Sequence, residues 1–357
     1  MDVSAKITGI TYKPFLCRGL NSYNHLKEAF DKDSAFLLSF EDNVQIAVSC
    51  WVSPKRTRSY PYSRVYDTLG FYGRKVTIIP IFKDEGKEGD RDFLQWDTIS
   101  LMSLLGVYTI VAYYNDAVKS TRYKHKITNQ KFDLKHLQSN FDNLLSYQSD
   151  ALHWNLSQID KVADISEKAL SEYNIISQKL NVEMHSFNTA QHRINELLKG
   201  KESFMNLSRD LAQKAQAREK DTTQPKELLD GTKATLTIKN YLGGFYYFTC
   251  DEARLINNSI YLIEGKHSRG SIIPSTEDIK DGLMKMILFS NLKEVKINDK
   301  QYSPLPILKL TSDKDFSIGN LSPSKIDLLR SLLKESNVNK FEVLINNNKL
   351  LGYKQYF

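Results

Sequence analysis

The stretch FYYFTCDEARLINNSIYLIEGKHSRG, Phe245 to Gly270, holds acids and a lysine at a spacing that lets them act on one group. The runs ARLI and SIYLIEGKH have strand character, and Asn257-Asn258 between them suits a tight turn, so a β-hairpin is expected. Side chains two apart on a strand share a face, which puts Glu264 and Lys266 on one side and leaves the other side open at Gly265. The hairpin returns Asp251, at the entrance of its first strand, towards the end of the second. Two carboxylates and a backbone carbonyl are hard oxygen donors suited to Mg2+, which bridges to phosphate oxygens and offsets charge developing at phosphorus. An adjacent ammonium can orient or help deprotonate an attacking water and stabilise a pentavalent transition state. The roles expected for phosphodiester hydrolysis are Asp251 and Glu264 as metal ligands, Gly265 as a carbonyl donor and Lys266 as the group that handles the nucleophile. Glu252, next to Asp251, is an alternative ligand.

Asp251 followed by Glu264-Gly265-Lys266 thirteen to fifteen residues later resembles the PD-(D/E)xK nuclease superfamily, in which an acid opens one strand and (D/E)xK closes the next. Cys250 stands where the family's first half-motif has Pro. The following PSTEDIKDGLMKMILFSNLKEVKI looks like the helix and next strand that pack behind such a site, and the resemblance spans Pro225 to Ile297, about a fifth of the chain. It implies catalytic Asp251, Glu264 and Lys266, a Mg2+ cofactor, and a further acid from a preceding helix, for which Glu227 is the candidate.

Three regions must position these residues. Up to residue 130 the runs AFLLSF, VQIAVSCWV, KVTIIPIF and VYTIVAYY, punctuated by Gly and Pro, predict an N-terminal α/β domain. Between Gly106 and Gly200 there is no Gly or Pro, and residues 131–224 are expected to be long and helical. There the column Leu145, Leu152, Ile159, Ser166, Tyr173, Leu180, Phe187, Ile194 recurs every seven residues, a coiled-coil-like seam for internal packing or for a homodimer. The polar stretch Ala212 to Glu227 reads as a linker, and residues 225–357 as a nuclease-like mixed sheet with flanking helices. The fold class expected is mixed, α/β (α+β).

A second acidic cluster, Asp84, Glu85, Asp90 and Asp92 in IFKDEGKEGDRDF, sits in a strand, acidic loop, strand, helix, strand layout. No (D/E)xK closes its second strand, where Gln95 occupies the acid position, so a solvated loop or clamp competes with a metal site. Two basic runs suit a nucleic-acid surface, because cations neutralise phosphates and aromatic rings stack. The first, Pro54 to Lys75, carries Lys55, Arg56, Arg58, Arg64, Arg74 and Lys75 among aromatics. The second, Lys119 to Lys135, includes Arg122, Lys124 and Lys126, with Asn129 and Gln130 able to read base edges. No Gly-rich phosphate loop, GxSxG elbow or His-based metal motif is present, which removes support for NTP hydrolysis, α/β-hydrolase chemistry and zinc chemistry.

The chain has 357 residues, 41% hydrophobic and 25% charged, which excludes wholesale disorder and leaves room for more than one core. A formal charge of +7 leans towards polyanionic partners. Cys17, Cys50 and Cys250 are scattered and odd in number, so reduced thiols and a cytoplasmic setting are expected. No secretory signal is expected in MDVSAKITGITYKPF, and the uncharged run Thr98 to Asn115 is expected to be a buried helix turning at Gly106 into a strand, with no membrane partner. With the resemblance, these features imply a type II restriction endonuclease acting on double-stranded DNA as a homodimer, with a cognate DNA methyltransferase as functional companion. The alternatives are a PD-(D/E)xK nuclease of another defence or repair system with little sequence preference, and a non-enzymatic DNA-binding or scaffolding protein.

Overall fold

The computed structural model describes residues 1–55, 60–198, 232–240 and 245–356, and the chain is mixed α/β with several sheets. It divides into two compact units, Met1–Gly19 with Asp210–Phe357, and Leu20–Arg209. This differs from three consecutive domains with boundaries at 130 and 224. The first residues belong with the C-terminal unit, and the helices up to Leu198 belong with the residues before them.

The reason for the first difference lies in strand Asp2–Ile7, whose alternation buries Val3, Ala5 and Ile7. It pairs in parallel with Thr232–Asn240 and antiparallel with Lys293–Ile297, inside a nine-stranded sheet. The sheet order is Lys300–Gln301, Lys293–Ile297, Asp2–Ile7, Thr232–Asn240, Phe245–Ile256, Ser259–Ser268, Ser303–Ser312, Glu342–Ile345, Asn348–Lys349. Side-chain amides then fix the segment after the first strand. Asn291 accepts from Thr11 N–H at 2.9 Å and donates to its carbonyl at 3.2 Å, and Asn339 makes the same exchange with Lys13 at 2.8 Å each way. The fully buried Glu335 accepts from the Tyr12 hydroxyl at 2.6 Å and from Phe15 N–H at 2.7 Å.

The expected hairpin is present, with Ile256 opposite Ser259 and Asn257 at φ 55°, the left-handed conformation that Asn tolerates. The helix expected behind it runs Thr276–Phe289, starting at Ser275, whose hydroxyl accepts from Asp278 N–H. The next strand, Lys293–Ile297, joins the far side of the sheet beside Asp2–Ile7. The strand that flanks Glu264-Gly265-Lys266 is Ser303–Ser312, in parallel.

In the other unit, Ser22–Tyr23, Ala35–Ser39, Gln45–Cys50, Lys75–Pro80 and Val107–Ala112 form a five-stranded sheet. Its core includes Phe36, Ile46, Val48, Ile78 and Ile110 with Phe141, Leu144 and Trp154 from the helices. The uncharged run folds as helix Trp96–Leu104, Gly106 at φ 66° and strand Val107–Ala112. Among the described residues, no helix is long and apolar enough to cross a membrane. The long seam is broken into helices Leu134–Leu145, Ala151–Asp160, Val162–Leu180 and Phe187–Leu198. Asn181 at φ 49° ends the third of these, and its apolar stripe (Ile165, Ala169, Tyr173, Ile176) is buried within the unit. The linker residues 212–227 lie outside the described residues.

Glu335→Ala removes the acceptor for two donors of the N-terminal segment and is expected to cost about 1–3 kcal/mol, since an intramolecular hydrogen bond contributes roughly 0.5–1.5 kcal/mol. Urea unfolding measures it, and Tyr12→Phe, which removes one donor only, is expected to cost less.

Candidate active site in the hairpin sheet

Asp251 does not open a strand. It lies inside the twelve-residue strand Phe245–Ile256, at an irregularity in the ladder. Between Ala234↔Cys250 and Thr232↔Ala253 the hairpin strand advances three residues while its neighbour advances two. This extra residue is a β-bulge, and a bulge turns two successive side chains to one face. Cys250 thereby keeps the face of Leu236 and Phe248. Asp251 shares that face because the register beyond the bulge, Glu252↔Ile263, sets it opposite Glu264. A plain alternating strand would direct Cys250 and Asp251 to opposite faces.

Glu264 is 2% exposed, and two ammonium groups hold it. Lys266 Nζ lies 3.1 Å from its Oε1 and Lys285 Nζ 2.7 Å from its Oε2. Lys266 also bonds Asp281 Oδ2 at 2.9 Å, and Lys285 donates to the Thr249 carbonyl at 3.1 Å. Gly265 N–H donates to Asp251 Oδ2 at 2.8 Å, so the backbone between the two motif residues orients the first acid. Burial pushes the Glu264 pKa up, but the charges of Lys285 and Lys266 outweigh it and hold the carboxyl below its ordinary value. Burial acts to lower both lysines. Glu264 and Asp281 overcome it at Lys266, and Glu264 and Asp251 overcome it at Lys285, so both ammoniums stay protonated well above the usual lysine range.

Asp281 and Lys285 come from helix Thr276–Phe289, one turn apart on the face turned to the sheet. Gly282 between them allows the close approach: a Cβ there would stand 2.6 Å from Leu308 Cδ1 and 3.3 Å from Lys266 Cε. Neither Asp281 nor Lys285 was anticipated from the strand motif. The signal present in KDGLMK is an oppositely charged i, i+4 pair flanking a helical glycine.

The other expected residues fall elsewhere. Glu252 pairs with Ile263, on the opposite face, where it is fully buried and ion-paired to Arg254. Of the two adjacent acids, then, it is Asp251 that the fold brings to Glu264. Both ring nitrogens of His267 are engaged, with the Thr311 hydroxyl at 2.9 Å and Asp313 at 3.2 Å. Glu227, Arg56 and Arg58 lie outside the described residues. Arg74 donates to the carbonyls of Leu144, Leu145 and Tyr147 at a helix end, Arg64 donates to the Cys50 carbonyl, and Lys75 donates to the Phe71 carbonyl. These three spend donors inside their own unit. Lys55, Arg122 and Lys124 are exposed, whereas Lys126 pairs with Glu85 at 3.1 Å. Gln130, expected to face bases, donates to the Asp84 carbonyl and accepts from the Tyr173 hydroxyl.

The second acidic cluster is tied up by partners of its own unit. Asp84 Oδ1 lies 2.7 Å from His185 Nδ1, Glu85 is held by Lys83 at 2.8 Å and by Lys126, and Asp92 accepts from Ser53 at 2.9 Å. Asp90 contributes its carbonyl to Glu85 N–H. The pattern is that of a clamp holding loops together.

Among the described residues there is no group of three or more His, Cys, Asp or Glu side chains arranged to hold a metal ion. A Mg2+ at the hairpin would therefore rest on Asp251 and Glu264 with a main-chain carbonyl such as that of Gly265. This hard-oxygen set fits an ion that keeps several of its waters. The charge balance fits as well, since three carboxylates (Asp251, Glu264, Asp281) face two ammoniums. Comparison with protein-family models, with curated proteins and with solved structures gives no match for the chain.

The shifted groups predict a pH response. The stabilisation from Glu264 is complete above the ordinary carboxylate range and is lost as pH falls through its lowered native value. That from the two lysines is complete below their ordinary value, about 10.4, and is lost as pH rises through their raised native values. Glu264→Gln is expected to be less stable by about 3–5 kcal/mol between about pH 5 and about pH 9, the usual cost of breaking a buried ion pair. The gap should narrow below about pH 4 in unfolding titrations at several pH values.

Proposed function

We propose that the chain is a divalent-metal-dependent endodeoxyribonuclease of the PD-(D/E)xK type, and within that class a type II restriction endonuclease. The observation that carries this reading is the bulge, which places Asp251 beside Glu264-Gly265-Lys266 on one face of a mixed sheet under a single helix.

A Mg2+ held by Asp251 and Glu264 would supply positive charge to offset that developing on the scissile phosphate. Lys266 stays charged because Glu264 and Asp281 flank it, so its role is to donate hydrogen bonds to phosphate oxygen or incoming water and to stabilise negative charge, not to accept a proton. Asp281 holds the Lys266 ammonium from the helix side, and Gly265 N–H fixes the Asp251 carboxylate. Double-stranded DNA is the proposed substrate, with exposed Lys55, Arg122 and Lys124 as phosphate contacts. A homodimer would place one site on each strand, and a companion methyltransferase would protect the host's own sites.

The complete ion pairing of Glu264 also supports the non-enzymatic reading, in which the cluster only holds helix to sheet. One experiment separates them: incubation of wild type, Glu264→Ala and Lys266→Met with unmethylated plasmids in Mg2+ or EDTA, followed by end-mapping. Discrete Mg2+-dependent fragments are expected from wild type, with a loss of at least about 100-fold in each variant, the scale of removing one group that stabilises transition-state charge. A smear would favour the nuclease of low specificity. Cleavage surviving in both variants would move the active site away from the hairpin, and cleavage absent throughout while DNA binding persists would leave the binding protein.

A further inference from the structure

The position a metal ion would take on Glu264 already has a cation beside it. Lys285 Nζ is 2.7 Å from Oε2, the shortest contact this carboxylate makes with either lysine. A Mg2+ on the same oxygen would sit at about 2.1 Å, and two cations on one oxygen of a 2%-exposed group repel strongly. The two lysines differ in what else holds them. Lys266 is tied to Asp281 as well as to Glu264 Oε1, so its charge is matched from two sides. Among the described residues Lys285 donates to one further acceptor, the Thr249 carbonyl, and Asp251 adds charge attraction without a direct ion pair. Its side chain is 18% exposed, and Asp281, one turn earlier on the same helix, uses only Oδ2 in its bond to Lys266. An alternative seat for the Lys285 ammonium, at Asp281 Oδ1 or in solvent, is therefore within one helical turn.

We propose that Lys285 is the resident counter-cation of the site: it holds the Glu264 carboxylate when no metal is bound and yields Oε2 to a divalent cation on loading. This rests on the nuclease reading and adds to it a positioning residue from the helix, together with a built-in competitor that sets the metal affinity. Without such a partner, Glu264 would be a buried, under-compensated carboxylate in the metal-free protein.

The test uses the full-length chain and Mn2+ itself as the probe, counting free ion by electron paramagnetic resonance at one pH and ionic strength. Wild type is compared with Lys285→Met, Lys266→Met and Glu264→Gln, and circular dichroism melts establish that each is folded. Wild type is expected to bind an ion that Glu264→Gln loses. Lys285→Met should bind it about tenfold more tightly and Lys266→Met by about threefold or less, because only the first removes a group that must leave. Lys285→Gln should shift affinity in the same direction and stands in if the Met variant does not fold. Equal gains in Lys285→Met and Lys266→Met would reveal a bulk charge effect and overturn the exchange. Unchanged affinity in the Lys285 variants, with binding still lost in Glu264→Gln, would overturn the exchange while leaving the metal site standing. No Glu264-dependent binding in wild type or in either Lys285 variant would overturn the metal site and the exchange together.

Discussion

A carboxylate removed from water must meet cations or take up a proton, and much of the C-terminal unit is organised around meeting that demand at Glu264. Lys266 comes from the same strand, two residues on, but a strand cannot supply a second cation to the other oxygen. Lys285 does so from the helix, which must lie close enough for its ammonium to reach Oε2 and for Asp281 to reach Lys266. Gly282 permits that approach, since any larger residue would press on Leu308 and the Lys266 stem. Helix placement, the glycine and the charge pairs therefore form one device.

The bulge is its counterpart on the sheet. Up to Cys250 the hairpin strand is committed to the register of Thr232–Asn240, which keeps Phe248 and Cys250 in the core. One extra residue lets the strand satisfy that commitment and still present Asp251 on the helix side, where Gly265 N–H receives its carboxylate. The same step sends Glu252 to the other face with Arg254. Two adjacent acids thus acquire separate environments from a single irregularity.

The second unit shows a contrasting use of charge. Its acids at Asp84 and Glu85 are as densely placed in the sequence as those of the hairpin. Each, however, is answered locally, Asp84 by Arg91 and the His185 ring and Glu85 by Lys83 and Lys126, and Gln130 and Tyr173 close a hydrogen-bonded ring around the Asp84 backbone. Arg74 and Arg64 likewise serve carbonyls of their own unit. Density of charge in a sequence does not distinguish a surface waiting for a partner from a clamp already closed, because that depends on which cations the fold delivers.

By itself the sequence determined the local pieces: a hairpin turning at Asn257, Glu264 and Lys266 on one face, a helix following the hairpin, and the helix-to-strand turn at Gly106. Each follows from periodicity or from the backbone preference of one or two residues, and neighbouring residues carry that information. Tertiary structure alone decided the rest. Asp251 rather than Glu252 joins Glu264 because a bulge, invisible to alternation, resets the face. The first strand enters the C-terminal sheet because Glu335, Asn291 and Asn339 grip the segment after it from about 280 to 326 residues away in the chain. The apolar stripe at helical spacing was legible, but which surface buried it was not, since a stripe has the same pattern against a sheet of its own unit as against a second chain. Lys285 reached the site only through the packing of a helix on a sheet, a long-range geometry that no local spacing encodes.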